Sequence, residues 1–313
     1  MKKNKVGVIG VGNMGKNHAR IFSKIADLVA VSDTNETLGK EVADKYGARF
    51  YKDYSQMIGA EQLDAVSVVV PTHLHKKIVF DCLNKKIPTL IEKPIAENTK
   101  QAREMLKCAK KNRVLLMVGH VERFNPAIVK LKKIISEGRM GEIISLLAIR
   151  VGIAPPKQAS DVALDLGIHD VDVFNYLLGR VPDKKRVLRT KLFSKNTADS
   201  STMILEYGKI TGVIQTNWIT PVKMRKLFVS GTDGYAEIDY IRQKLILRDK
   251  ILNTKFDGSF YEFVSISSKA TEKEVYVSKK EPLKEELVHF LSGVKNWEIN
   301  NVSDSIEALK IVI

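Results

Sequence analysis

Directly after the apolar run Val6-Gly7-Val8-Ile9 the chain reads Gly10-Val11-Gly12-Asn13-Met14-Gly15, and a helical pattern follows at once. No other feature constrains the fold as tightly. Between a strand and a helix, the first glycine of such a triplet permits a sharp turn, the second lets a pyrophosphate approach the main chain, and the third lets the helix lie close on the sheet. The N-terminus of the helix behind the turn offers N–H groups and a partial positive charge to phosphates. The pattern therefore predicts a dinucleotide-binding turn, with Gly10, Val11, Gly12, Asn13, Met14 and Gly15 against the cofactor.

The sequence that follows keeps the rhythm this turn requires. Apolar strands over 28–31, 49–51, 65–70, 88–91 and 114–118 alternate with helical patterns over 37–46, 75–85 and 99–111. That is the grammar of βαβ units, and it predicts a Rossmann domain with six parallel strands in a doubly wound sheet. Beyond about Gly119 the grammar changes. An amphipathic helix over 126–136, a strand over 141–151 and a helix over 162–178 are followed by strands with period-two alternation at 185–194, 201–207, 210–216, 225–230, 235–240 and 244–247, then helices over 282–293 and from 303. The expected organisation is an α/β chain with two domains. Residues 1–120 bind the cofactor; residues 121–313 form an α+β domain on a predominantly antiparallel sheet, with helices on one face and the other open.

Asp33 follows the second strand, eighteen residues after Gly15, where a carboxylate accepts hydrogen bonds from an adenosine ribose. It repels a 2′-phosphate, and no arginine immediately follows, so NAD is favoured over NADP. Further candidates lie where the parallel strands end, the edge at which open α/β sheets bind ligands. Val70-Pro71-Thr72 with His75 closes the fourth strand, Glu92-Lys93-Pro94 the fifth, and the segment containing Arg123 and Asn125 follows the sixth. His73 and His75 have no third ligand at metal spacing, so no metal is expected. Lys93 is bracketed by Glu92 and Pro94, which fixes its backbone; a solvated loop lysine is the plain alternative. In the second domain Asp165 and His169 stand one helical turn apart, so a carboxylate can fix the tautomer of an imidazole and raise its basicity. That arrangement suits a base that removes a hydroxyl proton, although such pairs also serve as simple surface pairs.

The formal charge of +15 raises nucleic-acid binding as a competing function. The cations are scattered, however. Lys107, Lys110, Lys111 and Arg113 end a helix, Lys130, Lys132 and Lys133 lie on a solvated helix face, and no aromatic residues interleave with them as a base-stacking groove needs. No nucleic-acid partner is expected. Cys82 and Cys108 offer neither a disulfide framework nor a zinc spacing and read as core thiols. The apolar runs are too short for a membrane span, and a cytoplasmic protein without a membrane partner is the expectation.

Taken together, Gly10 to Gly15, Pro71-Thr72 with His75, Glu92-Lys93-Pro94, Arg123-Phe124-Asn125-Pro126 and Asp165 with His169 resemble the Gfo/Idh/MocA oxidoreductases over nearly the whole chain. The resemblance implies an NAD-dependent dehydrogenase that oxidises a secondary hydroxyl of a sugar or sugar nucleotide. Lys93 and His169 then hold and deprotonate that hydroxyl, with Asp165 orienting the histidine. Glu92, Lys93, His75 and Val70 to Thr72 line the cofactor, and Arg123, Asn125, Lys223 and Arg225 join Lys93, Asp165 and His169 at the substrate. It also implies a cis peptide before Pro94 and a homodimer or homotetramer through the open sheet face. Within the family, residues 119–126 and 217–225 look like members acting at C3 of UDP-N-acetylhexosamines, with Lys223 and Arg225 meeting the diphosphate. Myo-inositol or free-sugar oxidation, and a non-catalytic NAD-binding regulator, are the alternatives.

Overall fold

The computed structural model of the chain describes residues 3–153, 161–193, 196–249, 272–294 and 301–313. Two compact units emerge, Met1–Val121 with Glu281–Ile311 and Ile313, and Glu122–Lys280 with Val312.

The first unit opens with β1 (Lys5–Ile9), α1 (Asn13–Ile25), β2 (Asp27–Ser32), α2 (Glu36–Tyr46), β3 (Arg49–Tyr51) and α3 (Tyr54–Ala60). It continues with β4 (Ala65–Val68), α4 (Thr72–Asn84), β5 (Thr89–Glu92), α5 (Thr99–Asn112) and β6 (Leu116–Gly119). The strands lie in the order β3-β2-β1-β4-β5-β6, all parallel. β4 and β6 are buried throughout, as strands covered on both faces must be, which explains why they read as apolar runs broken only by Ser67. Caps set the helix ends. The Asn35 side chain accepts the Leu38 N–H at the start of α2, Gly47 ends that helix at φ 67°, and Asn98 caps α5 through the Gln101 N–H. The strand order reverses between β1 and β4, so the glycine turn after β1 stands at the switch point. Cys82 and Cys108 are free and buried, and burial pushes the Cys82 thiol up to about 12.

The second unit contains α6 (Pro126–Ser136), β7 (Ile143–Ile153), α7 (Ile168–Leu178), β8 (Lys184–Thr190), β9 (Ser200–Tyr207) and β10 (Ile210–Asn217). After them come β11 (Ile219–Gly231), β12 (Gly234–Asp239), β13 (Lys244–Asp249) and β14 (Glu272–Val275). The sheet order is β14-β13-β12-β11-β7-β10-β9-β8, antiparallel except where β10 runs parallel to β7. Alternate residues such as Leu146, Ala148, Ile214, Leu227 and Val229 are buried beneath the helices. Their neighbours face away: Leu147 aligns with Val213 and Phe228, and Val213 with Ile204.

Four expectations change. The chain ends in α8 (Pro282–Gly293) and α9 (Val302–Val312), expected in the second domain, but residues 281–311 belong to the first unit. Asn301 explains the attachment: its side chain accepts the Val118 N–H at 2.8 Å and donates to the Val118 carbonyl at 2.7 Å, satisfying a β6 peptide group that has no further strand beside it. The helix expected over 162–178 opens with a π turn at Ala163–Gly167 before α7. β11 begins six residues earlier than the expected strand at Arg225, because it carries a bulge. The strand expected over 185–194 ends at Thr190, and Ser194 lies outside the described residues.

Candidate active site

In the first unit the three glycines have separable geometries. Gly10 sits at φ 85°, its N–H donates to the Ser32 carbonyl at 2.7 Å, and a Cβ there meets the Val69 carbonyl at 2.3 Å. A Cβ on Gly15 falls 1.9 Å from the Gly10 carbonyl, so only glycine lets α1 approach this closely. Gly12 differs: a Cβ there meets nothing within 4 Å, and Gly12 is the N-cap of α1 without any side-chain cap. Open space before uncapped helix N–H groups fits a dinucleotide pyrophosphate. The exposed Asn13 and half-buried Met14 flank this opening, and Val11 is buried.

Asp33 stands beside the turn. Its Oδ2 accepts the Val11 N–H at 2.8 Å and its Oδ1 the Asn35 N–H at 2.8 Å. The carboxylate thus locks the glycine turn to the end of β2, and each oxygen keeps a lone pair for a ribose hydroxyl.

Among the other cofactor candidates, Val70, Pro71 and Thr72 form the partly exposed entry to α4. His75 was expected at the cofactor, but its side chain is buried and both ring nitrogens face main-chain carbonyls, Nε2 to Val70 at 2.8 Å and Nδ1 to Ile95 at 3.2 Å. It fastens the loop after β4 to the loop after β5. Burial pulls its pKa below the ordinary histidine value against the pull of those carbonyls.

Glu92 is likewise turned inward. Its Oε1 meets the Nε2 of His18 at 3.1 Å, and its Oε2 accepts the Lys93 N–H at 3.1 Å. Burial raises the Glu92 pKa, but the His18 bond, with the charges of His18 and Lys93, outweighs it and holds the group below the usual glutamate value. The His18 Nδ1 pairs with the Ser67 hydroxyl at 2.8 Å, and both residues are fully buried. Sequence reasoning missed His18 and Ser67; the only local signal is a polar residue on the buried stripe of an amphipathic helix. Lys93 is half-buried, and the Lys93–Pro94 peptide is cis, as the resemblance implied.

In the second unit Asp165 lies inside the π turn and His169 in the first turn of α7. A π turn bonds i to i+5 and is widened relative to an α-helix, and such turns recur at functional sites. Behind His169, Arg150 of β7 is 1% exposed and forks onto Asp170, Nε to Oδ2 at 2.6 Å and Nη2 to Oδ1 at 3.1 Å. It also reaches Glu122 at 2.9 Å and lies 4.9 Å from the centre of the Tyr240 ring, whose hydroxyl donates to Asp170. Arg123 and Asn125, expected at the substrate, have other duties. Arg123 is clamped on buried Asp172 by bonds of 2.7 and 2.6 Å, and Asn125 caps α6 through the Ala127 N–H while donating to the Tyr240 carbonyl. These polar groups are buried, and burial demands partners inside the protein.

Lys223 and Arg225 behave differently. They line a cavity of about 360 Å³ with Asp165 and Trp218, walled by Val151 and Leu166. Neither cation has a hydrogen bond or ion pair from its side chain among the described residues. Burial, then the like charge of Arg150, presses the Arg225 pKa below the ordinary arginine value despite Glu122, Asp170 and Asp165. The bulge in β11 shapes this wall. Pairing with β7 jumps from Ile219 to Met224, and the Asn217 Oδ1 collects the donors left over, the N–H groups of Ile219 and Thr220 and the Thr220 hydroxyl. Among the described residues no three His, Cys, Asp or Glu are placed to hold a metal, and no helix is long and apolar enough to cross a membrane.

Residues 4–120 match the family pattern described as oxidoreductase family, NAD-binding Rossmann fold, and residues 128–237 match the Gfo/Idh/MocA C-terminal domain. The chain belongs to the Gfo/Idh/MocA family. As a member it is an NAD-dependent dehydrogenase acting on CH–OH groups. It is similar to UDP-N-acetylglucosamine 3-dehydrogenase of Acidithiobacillus ferrooxidans, 29% identical over 77% of this chain and 75% of that one. It is comparably similar to myo-inositol 2-dehydrogenase of Thermotoga maritima, 28% identical over 78% of this chain and 77% of that one. The fold agrees with the solved A. ferrooxidans enzyme at a TM-score of 0.87 and 24% identity, over 100% of this chain and 96% of that one. It agrees equally with levoglucosan dehydrogenase in complex with NADH and levoglucosan, at 0.86 and 17%, over 99% and 95%.

Proposed function

We propose that this Gfo/Idh/MocA member oxidises a secondary hydroxyl of a sugar that carries an anionic group, with C3 of a UDP-N-acetylhexosamine as the best candidate. The observation that supports the choice is the cavity with Lys223 and Arg225, two cations without side-chain partners among the described residues. A diphosphate supplies the missing counter-charge and suits the fork of an arginine. Myo-inositol or a neutral sugar leaves Arg225 with no counter-charge beyond those of Glu122, Asp170 and Asp165, which argues against the polyol reading. Trp218 offers an indole surface beside the cations.

In the reaction, His169 takes the hydroxyl proton, with Asp165 setting the orientation of its ring. Lys93 donates a hydrogen bond to the same oxygen and stabilises the negative charge that develops as the O–H bond breaks. Bound NAD supplies the acceptor for the hydride that leaves the carbinol carbon, so a ketone and NADH result. Gly12 and the N-terminus of α1 hold its pyrophosphate, and Asp33 its ribose. The outward row of Ile204, Val213, Leu147 and Phe228 on the second sheet is proposed to seat a second copy of the chain.

The test is a panel of UDP-N-acetylhexosamines, hexose phosphates, free hexoses and myo-inositol, scored by NADH fluorescence with the parent protein and Arg225→Met. Preference for a UDP-sugar that collapses in Arg225→Met supports the reading. Myo-inositol turned over best, and equally by both proteins, overturns it. Binding of NADH with no oxidation of any compound favours the regulator.

A further inference from the structure

The His18 ring is 0% exposed, yet both of its nitrogens are engaged. The Ser67 hydroxyl lies 2.8 Å from Nδ1, and Nε2–H donates to Glu92 Oε1 at 3.1 Å, so both sides of the ring are satisfied. Glu92 Oε2 then receives the Lys93 N–H. The order hydroxyl, imidazole, carboxylate is that of a hydrolase triad, but Ser67 lies inside β4 with no exposed surface, so no substrate reaches it as a nucleophile. What the chain joins is informative. His18 belongs to α1, three residues beyond the last glycine of the phosphate turn; Ser67 belongs to the strand across the switch point; Glu92 directly precedes Lys93. Gly119 leaves the space Glu92 needs, since a Cβ there comes within 3.3 Å of its carboxylate.

We propose that His18 is a positioning residue for Lys93: with Ser67 holding its ring, it fixes the Glu92 carboxylate that pins the Lys93 main chain, and so ties the cofactor's helix to the lysine of the reaction. The proposal rests on the reading of Lys93 as a group that touches the substrate oxygen. Without the imidazole, Glu92 keeps its burial but loses its strongest partner, and its hold on Lys93 slackens. Misplacing a reacting group by about 1 Å costs on the order of 100-fold in rate, so a loosened lysine lowers kcat by roughly 10- to 100-fold while the glycine turn still binds cofactor.

The experiment compares the parent with His18→Leu, His18→Gln, Glu92→Gln and Lys93→Ala. It measures kcat and KM, NADH affinity by fluorescence, thermal stability, and hydrogen exchange at the Lys93 amide without cofactor. Expected are a fall in kcat for His18→Leu and Glu92→Gln with NADH affinity near the parent's, faster exchange at Lys93 but not in β1, and partial recovery of turnover in His18→Gln, whose amide still donates to Glu92. Unchanged kcat and unchanged Lys93 exchange in His18→Leu, beside an inactive Lys93→Ala, overturn the positioning role alone. So does a kcat loss that follows thermal stability and is no smaller in His18→Gln. Should His18→Leu not fold, Glu92→Gln decides by the same measures. Full turnover in Lys93→Ala overturns the role of Lys93 itself, and the positioning role with it.

Discussion

Removal of the Arg150 guanidinium tests whether the second unit is organised around a buried ion cluster. Arg150→Met conserves much of the side-chain volume but takes two bonds from Asp170 and one from Glu122. Asp170 is 1% exposed and is left with the Tyr240 hydroxyl as the remaining donor of this cluster. Breaking a buried pair from one side costs about 3–5 kcal/mol, because the surviving charge stays buried without compensation. The unit spans about 160 residues, for which each kcal/mol shifts Tm by roughly 2–4 °C, so a fall of roughly 6–20 °C is expected by scanning calorimetry. Turnover falls as well, since Asp170 adjoins His169, whereas NADH affinity, which belongs to the first unit, is retained. Arg150→Met combined with Asp170→Leu and Glu122→Gln recovers part of the loss, because the two carboxylates no longer stand unpaired, while Arg225 gives up their favourable charge. A Tm within about 2 °C of the parent for Arg150→Met, or a triple variant less stable than the single one, would refute the reasoning.

Asp33→Asn removes the charge from the proposed ribose contact. A lost charge-assisted hydrogen bond, about 1.5–3 kcal/mol, raises the NAD KM roughly 10- to 100-fold and weakens discrimination against NADP, and an unchanged NAD-to-NADP ratio refutes the assignment. His75 gives a pH signature. Its folded pKa is depressed, so the unfolded chain binds the extra proton as pH falls below the ordinary value near 6.5; stability is therefore lower at pH 5.5 than at pH 7.5. His75→Asn reduces that slope in urea titrations, and an identical slope assigns it elsewhere. Lys93→Ala and His169→Ala each lower kcat by orders of magnitude, and the double variant loses little more than the worse single one if both act on one oxygen. Strictly additive losses place the two residues in separate steps.

The sheet of the first unit was legible because its information is local. Parallel strands buried on both faces are mostly apolar, helical patterns alternate with them and Gly47 stands just past the end of one, and the glycine turn needs only six residues. The attachment of the C-terminal helices was not legible. It depends on Asn301 satisfying a peptide group 183 positions earlier, and an asparagine before a helix looks like an ordinary cap. α3 was missed for the opposite reason: seven residues behind the Asp53 cap give too short a periodic signal. The π turn and the β11 bulge were hidden too, since an extra residue in a turn or strand changes which way side chains point without changing the residue types.

Motif reading picked out candidate site residues but not their duties. Motif reading treats polar residues near a ligand edge as ligands, whereas burial requires most of them to be paired within the protein. His75, Glu92, Arg123 and Asn125 all sit where the motifs put them, yet each has its donors or acceptors engaged by main chain or by a buried partner. A sequence gives residue types; it does not give the partners that engage them. The same criterion turns the argument around for Arg225. Its sequence context, alternating with Lys223 along a strand, is that of a solvated edge, and nothing in the pattern separates the two readings. A guanidinium that lines a cavity with an indole, pressed by burial and by Arg150 against the pull of Glu122, Asp170 and Asp165, and without a side-chain hydrogen bond or ion pair among the described residues, is short of acceptors. That deficit makes an anionic substituent on the sugar the economical explanation, and it ties substrate choice to a residue whose replacement by methionine should stabilise the second unit in the absence of substrate while abolishing the preference for charged sugars.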